Sequence, residues 1–360
     1  MTGFSKRRKI RSVWGTTPIL SICNNSYAER LLGIASDTLV FSTYYITDRF
    51  TYNLTKLCTT KFLRILVSLL VFPWALFKYD IFHFFCDRGI LPTRNWNGIN
   101  YFELFLLHLF KKKTFLYTYG ADVRTHKLTA DLGHYNCCIY CPSIGKGCVC
   151  NDSRLRKNLK KYRKYATEIL SMGDMTEYTP GSNNSLFFWP IDINKISYVG
   201  TKDFNDFPIK IVHAPNHRHY KGTKHLIDVV KKIKKEGYEL ELILVERVSN
   251  DEAIENYKNA DIIAEQFLIG WHGFTAIEAM AIGKPVIAFI RKKEYLLYPE
   301  ECPIVNANPD NLKVAIIDLI ENPEKRKQLG DQGRRYVEKY FSIEAFSERL
   351  KWLYQKHGIL

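Results

Sequence analysis

Between residues 270 and 290 the chain passes from a glycine-bearing loop through a short helix into a hydrophobic strand, and this succession limits the fold more than any other feature. Thr275-Ala276-Ile277-Glu278-Ala279-Met280-Ala281 carries an acid in its first turn and leads through Gly283-Lys284-Pro285 into Val286. Upstream, His213-Ala214-Pro215-Asn216-His217-Arg218-His219-Tyr220-Lys221-Gly222 is a basic loop leaving another strand. In an open parallel sheet, loops of this kind lie beyond the carboxyl ends of the strands, where ligands bind. Together they describe a pocket for something phosphorylated.

The alternation of strand and helix continues around this stretch. Residues 209–213, 240–245, 262–264 and 285–290 read as strands, and 223–236, 252–258 and 275–282 as helices, which makes a doubly wound unit. The first half opens with an apolar segment near 18–22, then strand-like runs at 38–42, 80–85 and 114–119, with a long apolar helix at 62–77. A chain of 360 residues exceeds the usual length of one domain. The expected architecture is α/β, with two doubly wound Rossmann-like domains facing a central cleft. Residues 1–189 form the first unit, with a cysteine-rich insertion near 134–152. Residues 190–340 form the second, and a helix in 341–360 crosses back onto the first.

Composition excludes a disordered chain, since 46% of residues are hydrophobic and 14% aromatic. The net charge of +15 attracts anions, whether nucleotides, acidic lipid headgroups or nucleic acid, without choosing among them. The basic start lacks the apolar run and cleavage site of a secretory signal, so a reducing, cytoplasmic compartment is expected. Residues 62–77 are shorter than a bilayer span and interrupted by Arg64 and Pro73, which favours a buried or interfacial helix. Residues 154–171 predict a helix crowded by Arg154, Arg156, Lys157, Lys160, Lys161, Arg163 and Lys164 over a stripe of Leu155, Leu159 and Tyr162. Two readings stand: a surface helix packed by one stripe, or a docking face for an anionic membrane.

Four loops fit the ligand end of the sheets: Gly15-Thr16-Thr17-Pro18, Tyr119-Gly120-Ala121-Asp122, Asn216 through Gly222, and Gly270-Trp271-His272-Gly273-Phe274-Thr275. Lys221 offers a localised positive charge to a diphosphate, and Arg218 several donors to the same anion. Backbone N–H groups at Gly273, Phe274 and Thr275 begin a helix, an end that attracts phosphate without side chains. Glu278 can accept hydrogen bonds from a ribose diol. Thr275-x-x-Glu278 is equally a capping box.

The span 209–340 resembles the nucleotide-sugar-binding domain of retaining GT-B glycosyltransferases, family 4 in particular. Lys221-Gly222 and Glu278-Ala279-Met280-Ala281-x-Gly283-Lys284-Pro285-Val286 carry the likeness. Weaker matches in the first half are Tyr79-Asp80-Ile81-Phe82-His83, Tyr119-Gly120 and Trp189-Pro190-Ile191-Asp192. The resemblance implies that Glu278 binds donor ribose, that Lys221 holds the diphosphate with help from Arg218, and that Gly273, Phe274 and Thr275 touch phosphate and sugar. It also exposes a departure. The first glutamate of the family's pair should fall at Gly270, so His272, Glu265 or Gln266 is expected to replace its contact to the donor sugar. A family histidine is likewise replaced by Tyr119.

The implied reaction moves a sugar from a UDP- or GDP-type donor to a hydroxyl of a glycan or lipid-linked acceptor, with retention and without a required metal. Gly15 joins the donor-side expectations, and Tyr119 and Asp122 the acceptor side. Two alternatives stand beside it: a soluble transferase with a small acceptor, and a non-catalytic protein binding nucleotide sugar or nucleic acid, the latter disfavoured because no nucleic-acid motif accompanies the charge. Separately, Cys138, Cys141, Cys148 and Cys150, with Cys137 or His134 as alternates, supply enough ligands for a structural zinc. Reduced loop cysteines are the equal alternative.

Overall fold

A computed structural model describes residues 9–44, 46–94, 97–139, 141–142, 151–201 and 207–360. The first half builds a six-stranded parallel sheet from β1 (Arg11–Thr16), β2 (Ala35–Val40), β3 (Tyr52–Asn53), β4 (Ile81–Phe85), β5 (Lys113–Tyr117) and β6 (Glu168–Leu170), in the order 3-2-1-4-5-6. The second half builds a five-stranded parallel sheet from β7 (Ile209–His213), β8 (Leu240–Leu244), β9 (Ile262–Ala264), β10 (Val286–Ala288) and β11 (Val305–Asn306), in the order 11-10-9-7-8. Both are doubly wound orders. Each leaves a crevice where the strand order reverses, between β1 and β4 and between β7 and β9.

The helices are α1 (Ser21–Leu31), α2 (Lys61–Lys78), α3 (Tyr101–Leu109), α4 (His126–Asp131) and α5 (Asp152–Tyr165) in the first half. In the second they are α6 (Arg218–Lys221), α7 (Thr223–Lys235), α8 (Asn250–Lys258), α9 (Phe274–Ile282), α10 (Leu312–Glu321), α11 (Pro323–Tyr340) and α12 (Ile343–Lys356). The first strand, Arg11–Thr16, precedes every strand expected from sequence; Val13 and Trp14 pair between β2 and β4 and are wholly buried. One expectation needs correction. The basic helix stops at Tyr165, and Glu168–Leu170 pairs with β5 as an edge strand.

Loops at the carboxyl ends of the two sheets meet. Asn250 donates its N–H to Ile46 O at 3.4 Å and Arg49 pairs with Asp251 at 2.8 Å, joining the loop after β2 to the start of α8. Arg291 donates to Tyr135 O at 3.1 Å, and Tyr295 to Glu177 at 2.6 Å. The two crevices therefore face one another. At the junction Trp189 stacks on Trp271 with centroids 4.9 Å apart, and Ile191 N–H bonds Phe341 O at 2.7 Å.

The last helix closes the structure onto the first half. Its Phe346, Leu350, Leu353 and Tyr354 are buried, and Ser347 Oγ donates to Ala28 O of α1 at 3.1 Å. Tyr354 also reaches Glu29, a wholly buried carboxylate that accepts from Ser12 Oγ at 2.6 Å, Trp14 Nε1 at 2.5 Å and Ser36 Oγ at 2.6 Å. His83 Nε2 lies 3.1 Å from the same carboxylate. Burial pushes the Glu29 pKa up, but His83 and the hydroxyl donors outweigh it and hold the carboxyl below its ordinary range.

Candidate functional site

The carboxyl end of β7 turns through α6, and Gly222 in the left-handed region (φ 76°) redirects the chain into α7. Lys221, the last residue of α6, is thereby aimed across the crevice at Glu265, just after β9, and their side chains form a tight ion pair. Glu265 also accepts from Gly273 N–H at 3.0 Å. An ammonium and the first amide of α9 thus converge on one buried carboxylate. A Cβ at Gly273 would lie 2.7 Å from Glu265 Oε1 and 3.1 Å from Lys221 Nζ, so only glycine leaves this approach open.

Gly273 is the N-cap of α9 and has no side chain to cap it; Glu265 takes its N–H from outside the helix. The capping box is therefore not formed: Thr275 lies inside the helix, and Glu278 instead accepts from Asn250 Nδ2 at 2.6 Å. The positive end of the helix dipole attracts anions. Glu278 is 4% exposed, and burial drives its pKa up to about 7 against the lowering effect of Asn250. A buried acceptor one turn from a phosphate-attracting helix end suits a ribose diol.

The remaining expected donor residues separate. Arg218 forms a bidentate pair with Glu246, Nε to Oε1 at 2.8 Å, which commits its guanidinium away from Lys221. Gly15 lies inside β1, in register with Leu39 and Phe84, rather than in the loop beyond it. His272 is wholly buried between Trp271 and Phe341, with centroids at 4.6 and 6.2 Å, and burial pushes its pKa down to about 4. It cannot stand in for the glutamate absent at Gly270. Phe274 packs edge-on to Trp189 with ring centroids 6.4 Å apart.

In the first half, Asp122 accepts from the N–H groups of Tyr119 at 3.1 Å and Gly120 at 2.7 Å, bracing its own loop. Burial and the neighbouring Asp87 raise its pKa to about 7, against those bonds and Arg124. Asp87, which sequence reasoning missed, sits just past β4 at the crevice. It accepts from Thr17 Oγ1 at 2.5 Å, Arg88 Nε at 2.7 Å and Tyr119 OH at 3.4 Å. Its signal was available as an acid directly after an apolar strand. Asn250 was missed too, although Ser249-Asn250-Asp251-Glu252 is a readable helix start.

Among the described residues no group of three or more His, Cys, Asp and Glu side chains is arranged to hold a metal ion. Cys148 and Cys150 lie outside the described residues. Of the others, Cys141 Sγ lies 3.4 Å from Tyr220 OH, the Cys138 N–H bonds Asn136 Oδ1 at 3.0 Å, and His134 packs against Tyr135. Cys137, the remaining alternate, has its pKa lowered to about 7, first by a hydrogen bond from Cys138.

The raised carboxylate carries a pH prediction. Glu278 has a folded pKa of about 7, above its ordinary 4.5, so the stability it contributes is full below about pH 4 and is lost as pH rises through 7. Between pH 6 and 8 the advantage of the wild type over Glu278→Gln in urea unfolding should shrink by about 1 kcal/mol. A difference that grows over that interval contradicts the assignment.

No protein-family model matches the chain, and no curated protein matches it. Solved structures do. Sucrose-phosphate synthase from Thermosynechococcus elongatus superposes with a TM-score of 0.61 at 13% identity, covering 97% of this chain and 99% of that one. An alpha-glucosyltransferase solved with UDP and a 13-mer DNA containing an HMU base gives 0.60 at 11% identity, covering 96% and 99%. HepE from Anabaena, solved with UDP and glucose, gives 0.58 at 12% identity, covering 97% and 100%. What the chain shares with these GT-B glycosyltransferases, over nearly its whole length, is their fold of two Rossmann-like domains across a cleft.

Proposed function

We propose that the protein is a glycosyltransferase of the family 4 type, moving a sugar with retention from a nucleotide-diphosphate sugar to a hydroxyl of a glycan or lipid-linked acceptor. The observation that carries this is the convergence of Lys221 and the uncapped start of α9 at Gly273, with Glu278 buried one turn further on. Residues 190–340 take the donor, residues 1–189 the acceptor, and the helix in 341–360 ties them.

As the glycosidic bond breaks, negative charge develops on the leaving diphosphate. Lys221 and the α9 amides stabilise it from fixed positions, which is the most effective form of electrostatic catalysis. They offset the charge that a divalent ion would otherwise neutralise, so turnover without added metal is proposed. Glu265 holds Lys221 in place, and Glu278 accepts from the ribose. The acceptor hydroxyl approaches from the opposite crevice, beside Thr17, Asp87 and Tyr119. Its oxygen bonds to the anomeric carbon on the face the diphosphate leaves, which gives retention, and the leaving phosphate takes its proton. A panel of UDP- and GDP-sugars read by donor hydrolysis tests this, and a protein that binds and hydrolyses none of them refutes it.

The acceptor class is proposed from the surface. No described helix is long and apolar enough to cross a membrane. Yet Phe62, Leu66, Leu69, Leu70 and Phe77 of α2 are exposed, Arg64 being folded inward over Phe41 with its guanidinium 3.2 Å from the ring centre. The face continues through Phe102, Leu109 and Phe110 of α3, where Phe77 meets Phe110 with centroids 6.0 Å apart. Helix α5 packs beside α3 through Tyr165 and Tyr101, burying Leu155 and Tyr162 and exposing Arg156, Lys157, Lys160, Arg163 and Lys164. An apolar face flanked by cations matches an anionic bilayer surface, which supports docking of the enzyme on the inner face of a membrane. Vesicles with anionic lipid should retain the protein and zwitterionic ones should not. Replacing Phe62, Leu66, Leu70 and Phe77 with serine should weaken retention more than tenfold. Equal retention of that variant refutes the docking face.

A further inference from the structure

We propose that Arg291 makes the protein selective for donors whose transferred sugar carries a carboxylate, a hexuronate; this rests on the nucleotide-sugar reading above. Gly270 has φ of +92°, a conformation L side chains rarely adopt, and the space its side chain would fill is already taken. A Cβ there would lie 2.5 Å from Arg291 Nη1 and 2.6 Å from Cζ. Where the resembled family carries a glutamate and this chain has Gly270, the structure puts a guanidinium.

The guanidinium is held in place by hydrogen bonds to neutral groups. Nη1 donates to Ile269 O at 3.0 Å and Nη2 to Tyr135 O at 3.1 Å, both uncharged carbonyls, while the Arg291 N–H bonds Gly270 O at 2.9 Å. Other cations along the cleft have carboxylates: Lys221 has Glu265, Arg124 has Asp174, Arg218 has Glu246 and Lys292 has Glu177. Among the described residues no carboxylate forms an ion pair or hydrogen bond with Arg291. Glu177 and Cys137 feel its charge without bonding to it, so this half-buried cation keeps donors for an anionic ligand, and an arginine fork matches a carboxylate through two parallel bonds.

Its position selects the sugar rather than the nucleotide. Gly270 lies three residues before Gly273, where Lys221 and α9 would seat the diphosphate. Arg291 follows β10, one strand further from the β7–β9 crevice, and reaches Tyr135 of the opposing half. A sugar leaving the diphosphate into the cleft on that side meets the guanidinium. Ribose, held at Glu278 beside Asn250, lies on the α8 side of the same helix.

Calorimetry on the full chain tests this with UDP, UDP-glucose and UDP-glucuronate, and with GDP, GDP-mannose and GDP-mannuronate. For the nucleotide that binds, the wild type should prefer the uronate to the neutral sugar by at least tenfold. Arg291→Met should abolish that preference and leave binding of the bare nucleotide unchanged, and Arg291→Lys should retain part of it. Equal or tighter binding of the neutral sugar by the wild type overturns the proposal, as does a preference that survives in Arg291→Met. Failure of every bare nucleotide to bind instead removes the glycosyltransferase reading, and this inference with it.

Discussion

Lys221→Ala should lower turnover by roughly a hundred- to a thousand-fold, the usual consequence of deleting one fixed donor to a charge that appears only in the transition state. The loss belongs in kcat, because the ammonium gains most when the diphosphate departs. Removing it also leaves Glu265 as an unpaired buried carboxylate beside the helix start, which repels the same diphosphate and raises KM. Glu265→Gln separates the two effects: it keeps a neutral acceptor near Lys221 and Gly273, so a smaller fall in kcat is expected. Gly273→Ala provides an independent check. Its φ of −101° suits alanine, so the backbone is not strained, yet the new methyl would sit 2.7 Å from Glu265 Oε1 and 3.1 Å from Lys221 Nζ and must displace the pair. At least a tenfold loss of activity is expected, with a lowered melting temperature. Wild-type kcat in Lys221→Ala would falsify the catalytic assignment.

Glu29→Ala should destabilise the fold by about 3–5 kcal/mol, as expected when one member of a buried charged network is deleted. Ser12, Trp14 and Ser36 would each lose their acceptor in a dry core, with His83 and Tyr354 losing a partner as well. Unpaired buried donors cost more than the bonds contributed. Tyr354 ties α12 to the Glu29 network of β1, β4 and α1, so Tyr354→Phe should cost about 1 kcal/mol and leave the carboxylate otherwise satisfied. Urea unfolding measures both. A Glu29→Ala protein within 1 kcal/mol of wild type would show that the network is dispensable.

The donor half was largely legible from sequence because each element there is local. The apolar runs that became β7, β8 and β9 end where polar loop residues begin, and Gly222 and Gly283 both adopt the left-handed conformation expected of a glycine at a helix end. The first half was less legible. Arg11-Ser12-Val13-Trp14 reads as polar and basic, yet it is the central strand, since Ser12 and Trp14 are buried only because Glu29 accepts from both. The edge strand at Glu168–Leu170 was absorbed into a helix because a three-residue strand has no periodicity of its own.

Local pattern therefore determined the α/β class, the doubly wound second half, and the segments in which Lys221, Gly273 and Glu278 lie, because strand and helix periods and glycine conformations are properties of short segments. Only the tertiary structure decided what those segments do. Arg218 is taken by Glu246, His272 is sealed beneath Trp271, and Glu278 is released from capping to pair with Asn250. The charge at Gly270 is reversed by Arg291, twenty-one positions along the chain and one strand over in the sheet. Partners of a charge are chosen by packing across the crevice, and no spacing along the sequence encodes that choice.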